Sequence, residues 1–188
     1  FFQAEDGIRH FCLSRGLGDV YKRQGIINNM SNILDATFGA GCFWGVENKF
    51  MNLDGVIETS VGYMGSKFKN PTYFDVCSGL TGHAEVVKLK YDSSLIDYKS
   101  LCEFFFQIHD ATTLNRQGPD IGTQYRSIIF CYDSAQMKIA NNLISELNKE
   151  RPSAPLIVTD VASAMEYYLA EDYHQKYILK NNLQSCGG

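Results

Sequence analysis

The feature that most restricts what this chain can fold into is a repeated switch, from Ile33 onward, between two hydrophobic periods. Short runs rich in β-branched and aromatic residues at 33–38, 56–63, 85–91, 125–132 and 156–161 have the character of strands. The alternation is cleanest in the third, where Val87, Leu89 and Tyr91 fall on one side and Val86, Lys88 and Lys90 on the other. Between these runs the apolar positions recur at helical spacing. Phe43, Val46, Phe50 and Leu53 predict a helix from Cys42 to about Leu53. Leu101, Phe104, Phe105 and Ile108 predict a second, with Asp97 as its cap. Met137, Ala140, Leu143, Ile144 and Leu147 predict a third, capped by Asp133 or Ser134 and ending near Pro152. A last helix is expected over roughly 165–179. No GxGxxG or phosphate loop accompanies the alternation. The expected class is therefore α/β, with helices packed on a mixed sheet and no nucleotide-binding Rossmann unit.

The punctuation divides the chain further. Residues 1–29 show neither period, contain four glycines, and resemble translated adapter sequence, so we expect a non-native or flexible extension with Met30 as the native start. Residues 30–188 then form one domain, ending in a polar, glycine-terminated mobile tail at about 181–188 that carries Cys186. Polar loops are expected at 65–82 and 116–123.

Composition narrows the function classes. The chain has 188 residues, 45% apolar and 20% charged, which suits one globular domain. A formal charge of −4 without a Lys/Arg-rich run argues against a nucleic-acid partner. No apolar stretch approaches the roughly 18 residues of a membrane span. Six cysteines without a C-x-x-C pair disfavour both a disulfide scaffold and structural zinc. With no signal-peptide pattern, a reducing, cytoplasmic setting is expected. Cys102 and Cys131, inside a predicted helix and strand, read as core, and Cys77 as a packed small side chain. His83, His109 and His174 lack ligand-pair spacing and read as hydrogen-bonded histidines.

Cys42 stands between glycine-flanked turn and helix, where free N–H groups and the helix dipole favour a thiolate. It is the candidate nucleophile, although a cysteine that merely fills a turn has the same local sequence. Phe43 and Trp44 either wall an apolar pocket beside it or belong to the core.

Longer motifs decide between such readings. Gly41-Cys42-Phe43-Trp44-Gly45, the block Cys77-Ser78-Gly79 with Thr81-Gly82-His83-Ala84-Glu85, the block Gly122-Thr123-Gln124-Tyr125-Arg126-Ser127, and Glu171-Asp172-Tyr173-His174-Gln175 occur in order. Together they resemble the A-type peptide methionine sulfoxide reductases, over about 37–187. The resemblance implies a two-layer sandwich (α+β) with a ferredoxin-like βαβ core and reduction of the S epimer of methionine sulfoxide, free or in proteins. It implies Cys42 as nucleophile, Phe43 and Trp44 as the methyl pocket, and Glu85, Tyr73 and Tyr125 around the sulfoxide oxygen. Asp120 would orient substrate. Cys186 would resolve a Cys42 sulfenic acid into a disulfide for thioredoxin to reduce, with no metal or other cofactor. A sulfoxide oxygen must be protonated or strongly hydrogen-bonded before sulfur attacks sulfur, and two phenols and a carboxylic acid supply that. Glu85 can donate near neutral pH only if burial keeps it protonated. A cysteine hydrolase, or a binding module that never turns over, are the alternatives of another class.

Overall fold

A computed structural model describes residues 32–183; Cys12, Cys186 and the expected extension and end of the tail lie outside them. The elements in order are β1 (Ile33–Ala40), α1 (Phe43–Phe50), β2 (Val56–Met64), α2 (Tyr73–Cys77), β3 (Ala84–Asp92), α3 (Tyr98–Gln107), β4 (Arg116–Gln117), β5 (Asp120–Ile121), a 3₁₀ turn (Thr123–Tyr125), β6 (Ser127–Cys131), α4 (Ser134–Glu150), β7 (Asp160–Ser163), β8 (Tyr168–Leu169) and α5 (Tyr177–Lys180).

The main sheet runs β7-β6-β1-β3-β2-β8. All its pairings are antiparallel except β6 with β7, so the sheet is mixed. Within it β1-α1-β2 and β3-α3-β6 form two split βαβ units with strand order β6-β1-β3-β2, the ferredoxin-like arrangement. The period-two pattern decides which face each side chain meets. Val87, Leu89, Tyr91, Phe38, Ile129 and Cys131 point toward the helices and pack with Phe43, Val46 and Phe50 of α1, Leu101, Cys102 and Phe105 of α3, and Ala140 and Leu143 of α4. Val86, Ile128 and Phe130 alternate onto the other face, where Met64 and Ala84 join them under Ala162, Ala164 and Tyr167. One helical layer on one sheet is the result. Fully burying each large apolar side chain contributes roughly 1.5–3 kcal/mol, so this larger core dominates stability.

Caps fix the helix starts. Asp97 accepts from the Ser100 amide at 2.7 Å, and Asp133, rather than Ser134, accepts from the Gln136 amide at 2.8 Å. Several element boundaries need correction. The loop at 65–82 contains α2, whose start is a reciprocal capping box between Thr72 and Asp75. The loop at 116–123 contains the small β4–β5 hairpin. The strand expected at 156–161 lies at Asp160–Ser163.

The largest departure is the helix expected at 165–179, in whose place only the short helix Tyr177–Lys180 forms, at its end. Tertiary hydrogen bonds take the backbone elsewhere. Gln175 accepts from the Val61 amide at 2.8 Å and donates to the carbonyls of Val61 and Ala170. The Ala170 amide donates to Val61, and the Lys176 amide donates to Glu47 Oε2 at 2.7 Å. Lys176 itself has φ of 53°, outside the right-handed helical region. Gly62 makes the close approach of this strap possible, because a Cβ there would collide with the Tyr168 carbonyl oxygen and the Tyr167 ring.

Candidate active site

Cys42 occupies the N-cap of α1, half-buried, directly after Gly41. Gly41 has φ of +91°, and a Cβ on it would lie 2.6 Å from the Gln117 side chain, so only glycine fits between β1 and the β4–β5 hairpin. The thiol is not a resting thiolate. Burial, with the charges of Glu85 and Asp120 adding to it, pushes its pKa up to about 12, outweighing the Trp44 and Gly45 amides that pull it down. The sequence expectation gave the helix start the larger influence; desolvation and the neighbouring carboxyls win.

Glu85 is the second residue of β3 and is 1% exposed, on the helix-facing side of the sheet with Val87. Its Oε2 accepts the Phe43 amide hydrogen at 3.1 Å, which ties it to the first turn of α1. Burial raises its pKa to about 8, aided by Asp120 and opposed by the Phe43 hydrogen bond. Tyr125, in the 3₁₀ turn before β6, is pushed up to about 12 by burial and by Glu85. Tyr73, first residue of α2, is raised by burial and by its contact with Cys77, and it also feels the charge of Glu85. Asp120 sits in β5 and acts electrostatically on Cys42, Glu85 and Tyr125. Cys42, Glu85, Tyr73, Tyr125 and Asp120, far apart in sequence, thus share one electrostatic neighbourhood.

Phe43 is buried, its ring 5.2 Å from that of His174 and 6.0 Å from that of Tyr63. Trp44 is partly exposed; its ring stacks on Tyr177 at 3.9 Å, and its Nε1–H donates to His174 Nδ1 at 3.0 Å. Among the described residues no group of three or more His, Cys, Asp or Glu could hold a metal ion. A cleft of about 470 Å³ between α3 and α4, lined by Phe106, His109, Leu143 and Leu147 among others, lies away from this cluster.

The arrangement can present an acidic proton and two phenols beside a nucleophilic sulfur, under an aromatic wall. The family model described as peptide methionine sulfoxide reductase matches residues 34–187. The chain belongs to this family. The peptide methionine sulfoxide reductase MsrA of Methanothermobacter thermautotrophicus is 50% identical over 157 residues, covering 84% of this chain and 93% of its own. The methionine sulfoxide reductase A of Corynebacterium diphtheriae superimposes with a TM-score of 0.78 at 37% identity, covering 82% of this chain and 78% of that one. Reduced Mxr1 from Saccharomyces cerevisiae does so with 0.75 at 35% identity, covering 82% and 88%. This reductase is accordingly an oxidoreductase of the MsrA type.

Within the reductase, the positions sequence reasoning passed over are those of the strap. His174 and Tyr177 complete the wall behind Trp44, and Glu171 accepts the Tyr73 amide hydrogen at 2.9 Å. Glu171 and His174 stood in a motif block without a role; Tyr177 carried no local signal. Among the described residues only His109 has both ring nitrogens hydrogen-bonded, to the Phe105 carbonyl and Ser127 Oγ; His83 Nδ1 and His174 Nε2 are buried without a hydrogen-bond partner. Cys77 is exposed rather than packed, whereas Cys102 and Cys131 lie in the core beside Tyr98.

Proposed function

We propose that this reductase converts methionine-S-sulfoxide, free or in proteins, to methionine with Cys42 as nucleophile, and so repairs oxidised proteins. The observation that carries the reading is a buried carboxyl with a pKa near 8 placed with two phenols around a half-buried thiol.

At neutral pH Glu85 holds its proton. Because Oε2 accepts from the Phe43 amide, the proton belongs on Oε1, free to be donated. Glu85, Tyr73 and Tyr125 donate to the sulfoxide oxygen and draw electrons from its sulfur. Phe43 and Trp44 enclose the methyl group, and Asp120 orients the remainder of the substrate. As Sγ of Cys42 attacks that sulfur, its proton passes to the oxygen. Cleavage of the S–O bond with transfer of hydroxyl to Sγ releases methionine, so that Cys–SH and sulfoxide become Cys–SOH and thioether.

Cys186 then condenses with the sulfenic acid, expelling water and forming the Cys42–Cys186 disulfide. A thioredoxin dithiol reduces that bond and is itself oxidised, so no metal, flavin or nucleotide enters the cycle. One structure of the yeast relative holds Mxr1 in complex with Trx2. Among the described residues no helix is long and apolar enough to cross a membrane. A cytoplasmic setting, where dithiol reductants are supplied, suits the cycle, and neither a membrane nor a nucleic acid has a part in it. The catalytic domain is assigned to 30–188, with 1–29 as a non-native or flexible extension.

The test is dithiothreitol-driven reduction of separated S and R epimers by wild type, Cys42→Ser and Cys186→Ser. We expect reduction of S alone, lost in Cys42→Ser, and a Cys186→Ser defect confined to the thioredoxin-driven reaction. Turnover of neither epimer by wild type would overturn the proposal.

A further inference from the structure

The geometry points to Glu171 as a positioning residue that sets Tyr73 and the Trp44–His174 pair in register with Cys42. The inference rests on the reading of Tyr73 given above.

Glu171 stands on the strap just after β8, and each of its oxygens has a separate task. Oε1 accepts the Tyr73 amide hydrogen at 2.9 Å. Oε2 accepts the Tyr63 hydroxyl at 3.0 Å and lies 3.9 Å from His174 Nε2. Tyr63 is fully buried at the end of β2, cross-strand from Glu85. One carboxylate thus joins the sheet, the first residue of α2 and the strap.

The same oxygens reach the opposite wall of the site. Trp44 Nε1–H can only donate, so His174 Nδ1 accepts and the ring hydrogen resides on Nε2. That Nε2–H is buried, without a hydrogen-bond partner, and Glu171 is the carboxylate beside it. Facing His174 are Phe43 and Trp44 from α1, Tyr73 from α2, and Tyr173 from the strap, all through ring contacts. A shift of Glu171 would therefore displace the phenol that binds oxygen and the indole that encloses the methyl group together. Five residues of α2 cannot hold Tyr73 in place by helix formation alone, since so short a helix is unstable by itself. The hydrogen bond from its amide to Glu171 supplies a tertiary anchor.

The experiment is a double-mutant cycle with Glu171→Ala and Tyr73→Phe, read as single-turnover reduction of methionine-S-sulfoxide, with Glu171→Gln as the conservative variant. Glu171→Ala should lower kcat by about tenfold or more in the wild-type background and by less, about threefold, once Tyr73 is Phe, the remainder coming through the Trp44–His174 pair. Glu171→Gln keeps one acceptor, for the Tyr73 amide, while its NH2 can donate to the Tyr63 hydroxyl oxygen, and it should restore kcat to within about threefold of wild type. Trp44 is the single tryptophan, so its fluorescence against pH reports His174; Glu171→Gln should lower the apparent pKa seen there, because the lost charge favoured the imidazolium.

An equal loss from Glu171→Ala in both backgrounds, or wild-type kcat in Glu171→Ala, would overturn the inference. If Glu171→Ala does not fold, the Glu171→Gln fluorescence titration decides: an unmoved midpoint counts against the inference. Full activity in Tyr73→Phe alone would instead fail the reading of Tyr73 under the proposed function, and it is seen without any Glu171 variant.

Discussion

The segment from β1 to β3 and the strap at residues 160–183 both line the site, yet they are held by opposite means. In the first, local pattern and tertiary packing agree. Alternating side chains of β1 and β3 reach the core that α1 covers, and a glycine turn sets Cys42 at the start of that helix. In the strap, the Tyr/Leu spacing favours helix, and hydrogen bonds from Gln175, Glu171 and Lys176 to β2, α2 and α1 override it. Cys42, Tyr73 and Glu85 come from the first region; His174 and Tyr177, which back Trp44, come from the second. Cys42 and Glu85 thus stand on elements fixed by a buried core, whereas the strap and the start of α2 are tied by polar contacts that cost less to disturb.

The largest effect should come from breaking the first region at its chemistry. Cys42→Ser should reduce sulfoxide turnover by about 10³-fold or more while leaving the urea midpoint nearly unchanged, because the hydroxyl is a poor nucleophile of almost the same volume. An intact rate would remove Cys42 from the reaction.

Next is the pH behaviour of Glu85. With both Glu85 and Cys42 protonated in the reactive form, single-turnover kcat/KM should be level below pH about 8 and fall above it as the donor ionises. Glu85→Gln should be slower by about 10²-fold and level through that range. A wild-type rate that climbs with pH would mean a thiolate formed in advance. The stability follows the same group. Between an ordinary carboxyl pKa of 4.5 and about 8, the folded state holds a proton the unfolded state has lost, so stability should decline as pH rises through that window. Urea melts of wild type and Glu85→Gln at pH 5 and 8 check the sign: the decline should be absent in the variant.

A break in the strap should cost less activity and more local order. Gln175→Ala removes three hydrogen bonds and leaves the Val61 amide without its acceptor, a loss of about 1–3 kcal/mol. Limited proteolysis should then cut between Ala170 and Tyr177 first, ahead of global unfolding; uniform cleavage would show that the strap is not a separate unit of stability. The smallest effect belongs to Asp97→Ala, which removes the α3 cap for about 1 kcal/mol and should leave kcat/KM unchanged, since α3 lies outside the site.

Sequence periodicity by itself determined the α/β class, the helix layer and the facing of β3, because burial on one side of a strand or helix imprints a repeat that needs no partner to be recognised. The family resemblance carried by the motif blocks marked Cys42, Glu85 and Tyr125 within them and Tyr73 and Asp120 outside them, without any knowledge of distance. Even α2 was legible in principle, since Thr72 and Asp75 carry a capping box within four residues. Only the tertiary structure decided that Cys77 is exposed, that Cys42 rests as a thiol, and that residues 165–176 abandon helix to fasten Tyr73 and Trp44 to the sheet. The physical reason is range. A period is written by neighbours in the chain, whereas desolvation and a hydrogen bond spanning more than a hundred residues depend on what the fold brings alongside.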